Sequence, residues 1–175
     1  MVAATTAVIE GAVALQLGMR RMRQLGDSSR PIFDAIGQYG ESSTRLRFKK
    51  GIGPDGARWK PSARALASGG QTLVNKGAHG GLLGSITYRA DNESAEWGTN
   101  KIYAAIHQFG GTIRPRAARN LRFRTAGGAF VSTKRVVMPA RPFLGLNDED
   151  HREIPQIVVD VVKAAEAGRM GGGFV

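Results

Sequence analysis

Between Glu96 and Asp148 the chain has no acidic residue, yet Lys101, Arg114, Arg116, Arg119, Arg122, Arg124, Lys134, Arg135 and Arg141 all fall in that interval. Cations placed this way have no local partners. Their natural complement is an external anion or an acidic protein surface, and the plain alternative is a solvated basic loop. The whole chain carries 25 cations against 14 acids, a formal net charge of +11.

At 175 residues the sequence fits one domain, or one domain with arms, and a domain of that size buries roughly 70% of the surface its unfolded chain exposes. Apolar residues at 42% suffice for a core, and 24 glycines call for many loops and tight turns. Without cysteine there is no disulfide, no thiolate nucleophile and no Cys-bearing zinc site. The first residues resemble a leader, but Glu10 interrupts the apolar run and the arginines follow it, the wrong order for a secretory signal. No stretch approaches the roughly 20 uninterrupted apolar residues of a membrane span. The expectation is a protein that folds and works in the cytoplasm, with no membrane partner.

Val8, Ala12, Leu15, Met19 and Met22 recur at helical steps and predict an amphipathic helix beginning near Thr5 or Thr6 and ending at Gly26. Asp27, Ser28, Ser29 and Pro31 supply start chemistry for a second helix, with a stripe of Ile32, Ile36, Tyr39, Ser43 and Leu46. Pro54, Asp55 and Gly56 make a turn, and Trp59 on the polar loop after it either staples that loop to the core or meets a partner, stapling being the usual fate. After a connection rich in glycine, LLGSITYRA and AEWGT read as strands flanking the DNES turn. YAAIHQF, residues 103–109, reads as a short helix capped by Asn100 and stopped by Gly110 and Gly111. Residues 121–138 read as a hairpin turning at Gly127 and Gly128. PARPFLGL is an extended link, and NDEDHREI opens a last helix in which Pro155 must lie near the start or make a kink. The resulting fold class is α+β: N-terminal helices and a C-terminal helix on a small, mostly antiparallel sheet with an extended basic hairpin. The segments are 1–47 helical, 48–167 an α+β core and 168–175 a flexible tail, together one structural domain.

Little here advertises chemistry. His79, His107 and His151 are not at metal-ligand spacing with one another or with carboxylates, and no HExxH, GxSxG, phosphate-binding loop or dinucleotide fingerprint occurs. Gly77, Gly80 and Gly81 around His79 lack the Lys-Ser/Thr of a phosphate cradle and read as a flexible linker. No catalytic, cofactor or metal residue is nominated, and the chain reads as a non-enzyme. The candidates for partner contact are Arg114, Arg116, Arg119, Arg122, Arg124, Lys134, Arg135, Arg141 and Trp59. Arginines alternating with apolar residues suit nonspecific nucleic-acid contact and an acidic protein surface equally.

The order of segments carries a further signal: GIGPDGARWKP, LLGSI, WGTNKIYAAIHQFGG, then MPARPFLGL before an acidic helix start. This series resembles the phage virion morphogenesis family, the tail-completion proteins of Mu-like and P2-like bacteriophages, over residues 48–163. The stretch NKGAHGGLLGSI departs from the plain Thr-Gly-x-Leu run of such proteins, and the arginine-rich hairpin is longer than a minimal version needs. The resemblance implies a structural protein of the virion neck, assembled in the host cytoplasm, that completes the tail and mediates head-tail joining. It further implies a homo-oligomeric ring, a hexamer by resemblance, with connector, tail terminator or tube proteins as neighbours. The alternatives are a tail terminator capping the tube and a basic assembly module in nonspecific contact with DNA. No cofactor is implied, and His107 is architecture.

Overall fold

The structure, a computed structural model, describes residues 2–74, 81–125 and 127–170, with side chains for all of these except 2–10, 68, 169 and 170. The glycine-rich connection around Gly77, His79 and Gly80 and the last five residues of the tail lie outside them. The chain divides into two compact units. One comprises residues 1–43, 87–98 and 146–175, the other residues 44–86 and 99–145.

The first unit is built on long helices: α1 (Val2–Gln24), most of α2 (Arg30–Lys50) and α5 (Asp148–Met170), with much of the pair β1 (Ile86–Ala90) and β2 (Ala95–Thr99). Its core is Met22, Ile32, Ile36 and Val158, flanked by Leu15, Trp97, Ile154 and Val162. α5 packs along α1, and glycine sets how closely: a Cβ on Gly18 would lie 2.3 Å from the Val158 side chain. Two glycines inside α2 do the same for aromatic rings, since a Cβ on Gly37 would strike Tyr88 and one on Gly40 would strike Trp97 at 2.4 Å. Each interior glycine costs a helix about 1 kcal/mol. Seating an indole and a phenol against the bare backbone offsets that cost through buried aromatic area.

α5 begins with a reciprocal cap. The Asn147 side chain accepts from the Asp150 amide at 2.7 Å, and Asp150 accepts from the Asn147 amide at 2.8 Å. The other Asp150 oxygen accepts from Ser43 at 2.6 Å and Tyr39 also hydrogen-bonds Asp150, so this carboxylate, 1% exposed, is fully engaged. Burial, followed by the nearby charge of Asp150, holds the Tyr39 phenol well above its ordinary value. Pro155 falls inside α5, where a Cβ built on Gly11 of α1 would stand 3.7 Å from its ring, an ordinary contact distance.

The second unit holds the end of α2, α3 (Ala63–Ser68), α4 (Ala104–Phe109), β3 (Gly111–Ile113), β4 (Leu121–Arg124), β5 (Phe130–Thr133) and β6 (Val136–Met138). Its core is Phe48, Trp59, Leu82, Ile86 and Phe143. Phe48 meets Trp59 edge-on at 5.3 Å and Phe143 at 5.2 Å.

The α+β class holds, with four local differences. The α2 stripe shifts toward its end, where Leu46 is exposed and Thr44, Arg47 and Phe48 are buried. Asn100 does not cap α4, which starts after Tyr103 with no side-chain cap. The expected hairpin ends at Thr133; β6 turns away to pair antiparallel with β3, so the strands among the described residues form three two-stranded sheets. α3 interrupts the loop after Pro61, capped by the Ser62 hydroxyl on the Ala65 amide. Among the described residues no helix is long and apolar enough to cross a membrane.

Gly18→Ala should destabilise the protein by about 1–3 kcal/mol, because the methyl group must displace buried Val158. Urea denaturation followed by far-ultraviolet circular dichroism measures it; an unchanged midpoint would show that α1 and α5 are not held at this separation.

Candidate interaction surface

The residues of YAAIHQFGG are committed to holding another stretch of chain. Gly110, at φ 70°, ends α4 where a Cβ would lie 2.7 Å from the Ala140 amide nitrogen, so only glycine lets residues 138–140 pass this closely. The next residues of that stretch belong to no strand or helix, yet Phe143 is completely buried. Side chains must therefore satisfy their backbone groups.

Gln108 does most of this. Its Oε1 accepts from the amides of Phe143 (2.9 Å) and Leu144 (3.1 Å), while its Nε2 donates to the Leu144 carbonyl at 2.9 Å. The Trp59 indole donates to the Pro142 carbonyl at 2.8 Å, and the Arg47 guanidinium donates to the carbonyls of Gly145 (2.7 Å) and Phe143 (3.3 Å). The Arg141 amide donates to the His107 carbonyl at 2.7 Å. A Cβ on Gly145 would stand 2.9 Å from the Pro54 ring, which brings the GIGPDG turn to the same place.

Two of the nominated residues are turned inward. Trp59, 7% exposed, staples its loop to the core. Arg141, 3% exposed, donates through Nε to the Lys60 carbonyl at 2.7 Å and reaches that of Pro61 at 3.4 Å. Its side chain found backbone carbonyls where the acid-free sequence offered no carboxylate.

His107 sits half-buried with Tyr103 edge-on at 6.1 Å, and its Nδ1 is buried without a hydrogen-bond partner among the described residues. Burial, then the Arg141 charge, holds its pKa below the ordinary value. It borders a cleft of about 790 Å³ with Lys60, Arg64, Tyr103, Val137 and Arg141, whose lining contains no carboxylate. Ser62 there is occupied as the cap of α3. No metal-binding cluster occurs among the described residues.

The remaining nominated cations lie open. Arg114, Arg116, Arg119, Arg122, Arg124, Lys134 and Arg135 are all exposed, and none has an ion pair among the described residues. The β4–β5 hairpin alternates Arg122 and Arg124 around exposed Phe123, and the Arg124 guanidinium lies 4.4 Å from the centre of the Phe130 ring. The same unit exposes Ile102 (98%), Phe109 (78%) and Val137, large apolar groups that the sequence reading placed inside elements without assigning them to a surface. Their signal was weak: Ile102 precedes, and Phe109 ends, a helix too short to show an amphipathic period. Gln108 and Arg47 were likewise passed over, being polar residues in helices whose role depends on a distant loop. The first unit adds a shallow apolar groove of about 530 Å³ along α1 and α5, lined by Val13, Leu17, Val159 and Val162, with Arg21 and Lys163 at its edge.

The profile of the phage virion morphogenesis family matches residues 12–163. The chain is 31% identical over 152 residues to "Mu-like prophage FluMu G protein 2" of Haemophilus influenzae, covering 87% of this chain and 91% of that one. It is 38% identical over 133 residues to "Putative capsid assembly protein G" of Escherichia phage Mu, covering 71% and 73%. No solved structure matches it.

Two outcomes test this geometry. Gln108→Leu strands two buried amides and should cost about 2–5 kcal/mol of stability, measured by urea denaturation; a loss under about 0.5 kcal/mol would show that water replaces the amide. For His107 the neutral form is favoured in the folded state, so its contribution is complete above the unfolded pKa of about 6.5 and is lost as pH falls below it. Wild type should therefore lose more stability than His107→Gln between about pH 7 and 5, and parallel losses would contradict this.

Proposed function

Since the chain belongs to the phage virion morphogenesis family, we propose that it is a structural protein of the virion neck that completes the tail and joins it to the head as part of a ring. The observation that carries this reading is that the second unit exposes both its basic hairpin and Ile102, Phe109 and Val137, while its Gln108 and Trp59 are spent internally on residues 142–144. Large exposed apolar side chains and exposed arginines are what a subunit keeps for its neighbours. The printed name of the phage Mu relative speaks of capsid assembly, whereas the sequence motifs resemble tail-completion proteins. A position at the junction of head and tail accommodates both.

The mechanism in this reading is geometric. Copies associate head to tail into a closed ring, one face meeting the tail and the other the head connector. The hairpin cations govern encounter and register with acidic protein neighbours more than final affinity. No bond is made or broken, and His107 and its cleft serve the packing. A second reading, in which the hairpin touches the genome, draws support from the same acid-free arginines. A terminator capping the tail tube is a variant of the first reading.

Changing Arg122, Arg124, Lys134 and Arg135 together to Gln should leave the fold intact, since exposed cations contribute little to stability. The amount of variant in purified virions, or the yield of joined particles, should fall roughly tenfold or more. Normal incorporation and joining, with duplex binding lost in a salt-dependent way, would overturn the protein-contact reading in favour of the genome.

A further inference from the structure

The charges of this chain are sorted between its two compact units. The second unit holds 17 of the 25 cations and a single acid, Asp55, for a formal charge of +16. The first unit holds the other eight cations and 13 acids, for −5, and the two values account for the net +11. Composition alone does not require this. Helix capping and solubility need acids on α5, but nothing in the packing of the second unit forbids acids on its exposed strands, where Arg122, Phe123, Arg124 and Phe130 stand in solvent.

We propose that the basic hairpin β4–β5 docks on the acidic unit of a second copy of this chain, so that the charge separation directs head-to-tail self-association. This inference rests on the ring reading above and names the neighbour that the hairpin meets there. Three observations favour a second copy over another occupant. The complementary charge is already encoded in the same chain, so every copy presents both halves of the contact. The acidic half is exposed where it would be needed: Asp148, Glu149, Glu153 and Asp160 of α5 are at the surface, and Asp34 and Glu41 of α2 lie on the same unit. Duplex DNA, the other candidate for an arginine ribbon, would be attracted by the second unit and repelled by the first.

The two halves are different surfaces, so the contact is heterologous: each copy gives its hairpin to one neighbour and its acidic unit to the other. A contact of that kind closes into a ring or propagates as a filament. It also opposes the mirror arrangement, because hairpin against hairpin or acid against acid sets like charges together. The cations need no partner within their own copy, which gives a reason for a hairpin without ion pairs among the described residues.

A charge-swap experiment on the full chain tests this. In one variant Arg122, Arg124, Lys134 and Arg135 become Glu; in a second Glu149, Glu153 and Asp160 become Lys. Sedimentation velocity at low salt should show wild-type oligomers that dissociate at about 0.5 M salt, where charges are screened beyond a few ångströms. Each variant alone should associate roughly tenfold or more weakly, and an equimolar mixture should recover oligomers, since every hairpin then again faces an opposite charge. Circular dichroism confirms folding, and if the Glu variant misfolds the four-residue Gln variant replaces it for the weakening alone, while recovery on mixing is read with only Arg122 and Arg124 changed to Glu. Wild type monomeric at low salt, association unmoved by either swap, or no recovery on mixing overturns the proposal. If association is unmoved while the hairpin variant is still excluded from virions, the neck reading stands and only the identity of the neighbour is wrong. If the hairpin swap abolishes duplex binding alone, the occupant is DNA.

Discussion

The second unit depends on how residues 141–145 satisfy their hydrogen bonds. They run as irregular chain that buries Arg141 and Phe143 and comes back to the surface at Gly145, and buried irregular backbone is costly because no ladder supplies partners. Here side chains supply them. Gln108 serves both sides of Leu144 and the Phe143 amide, Trp59 serves Pro142, and Arg47 serves Phe143 and Gly145. With those groups paired, Phe143 can fill the space between Phe48 and the remainder of the core. The motifs GIGPDGARWKP, YAAIHQFGG and PARPFLGL are widely separated in sequence because one buried loop needs partners from three directions. Their residues cannot be exchanged freely, since each carries a donor or acceptor of fixed reach.

This division of labour bears on function. Gln108, Arg141 and Trp59 are turned inward and spent on backbone groups of their own unit. The exterior of the same unit carries arginines with no carboxylate partner among the described residues and large exposed apolar groups. A protein whose task is to be a correctly shaped and correctly charged piece of an assembly needs a rigid interior and an adhesive surface, and membership of a virion morphogenesis family fits that requirement.

Much of this was legible in the sequence. The β2 strand AEWGT, the two-glycine end of α4 and the acidic start of α5 follow from local chemistry, and local chemistry prevailed there. Asn100 failed as a cap because the chain enters α4 through a turn at Tyr103. β6 was read as the arm of a hairpin because nothing local reveals that β3, only three residues long, competes for it. Arg141 was read as free because an acid-free sequence offers no carboxylate, but a guanidinium is satisfied equally by carbonyls once a loop brings them near. The exposure of Ile102 and Phe109 was illegible for a different reason: burial is decided by tertiary neighbours, and a six-residue helix has too few positions to show which side they occupy.

The central claim is that this chain is a structural subunit at the junction of head and tail, with its basic hairpin turned toward a protein neighbour. The most direct measurement is a cryo-electron microscopy map of the neck of the intact virion at a resolution sufficient to fit each unit. The account expects a ring of copies between the head connector and the tail, with density for residues 121–133 lying against protein. Absence of the chain from the finished particle, or a ring whose hairpins line the bore against the genome, would contradict it.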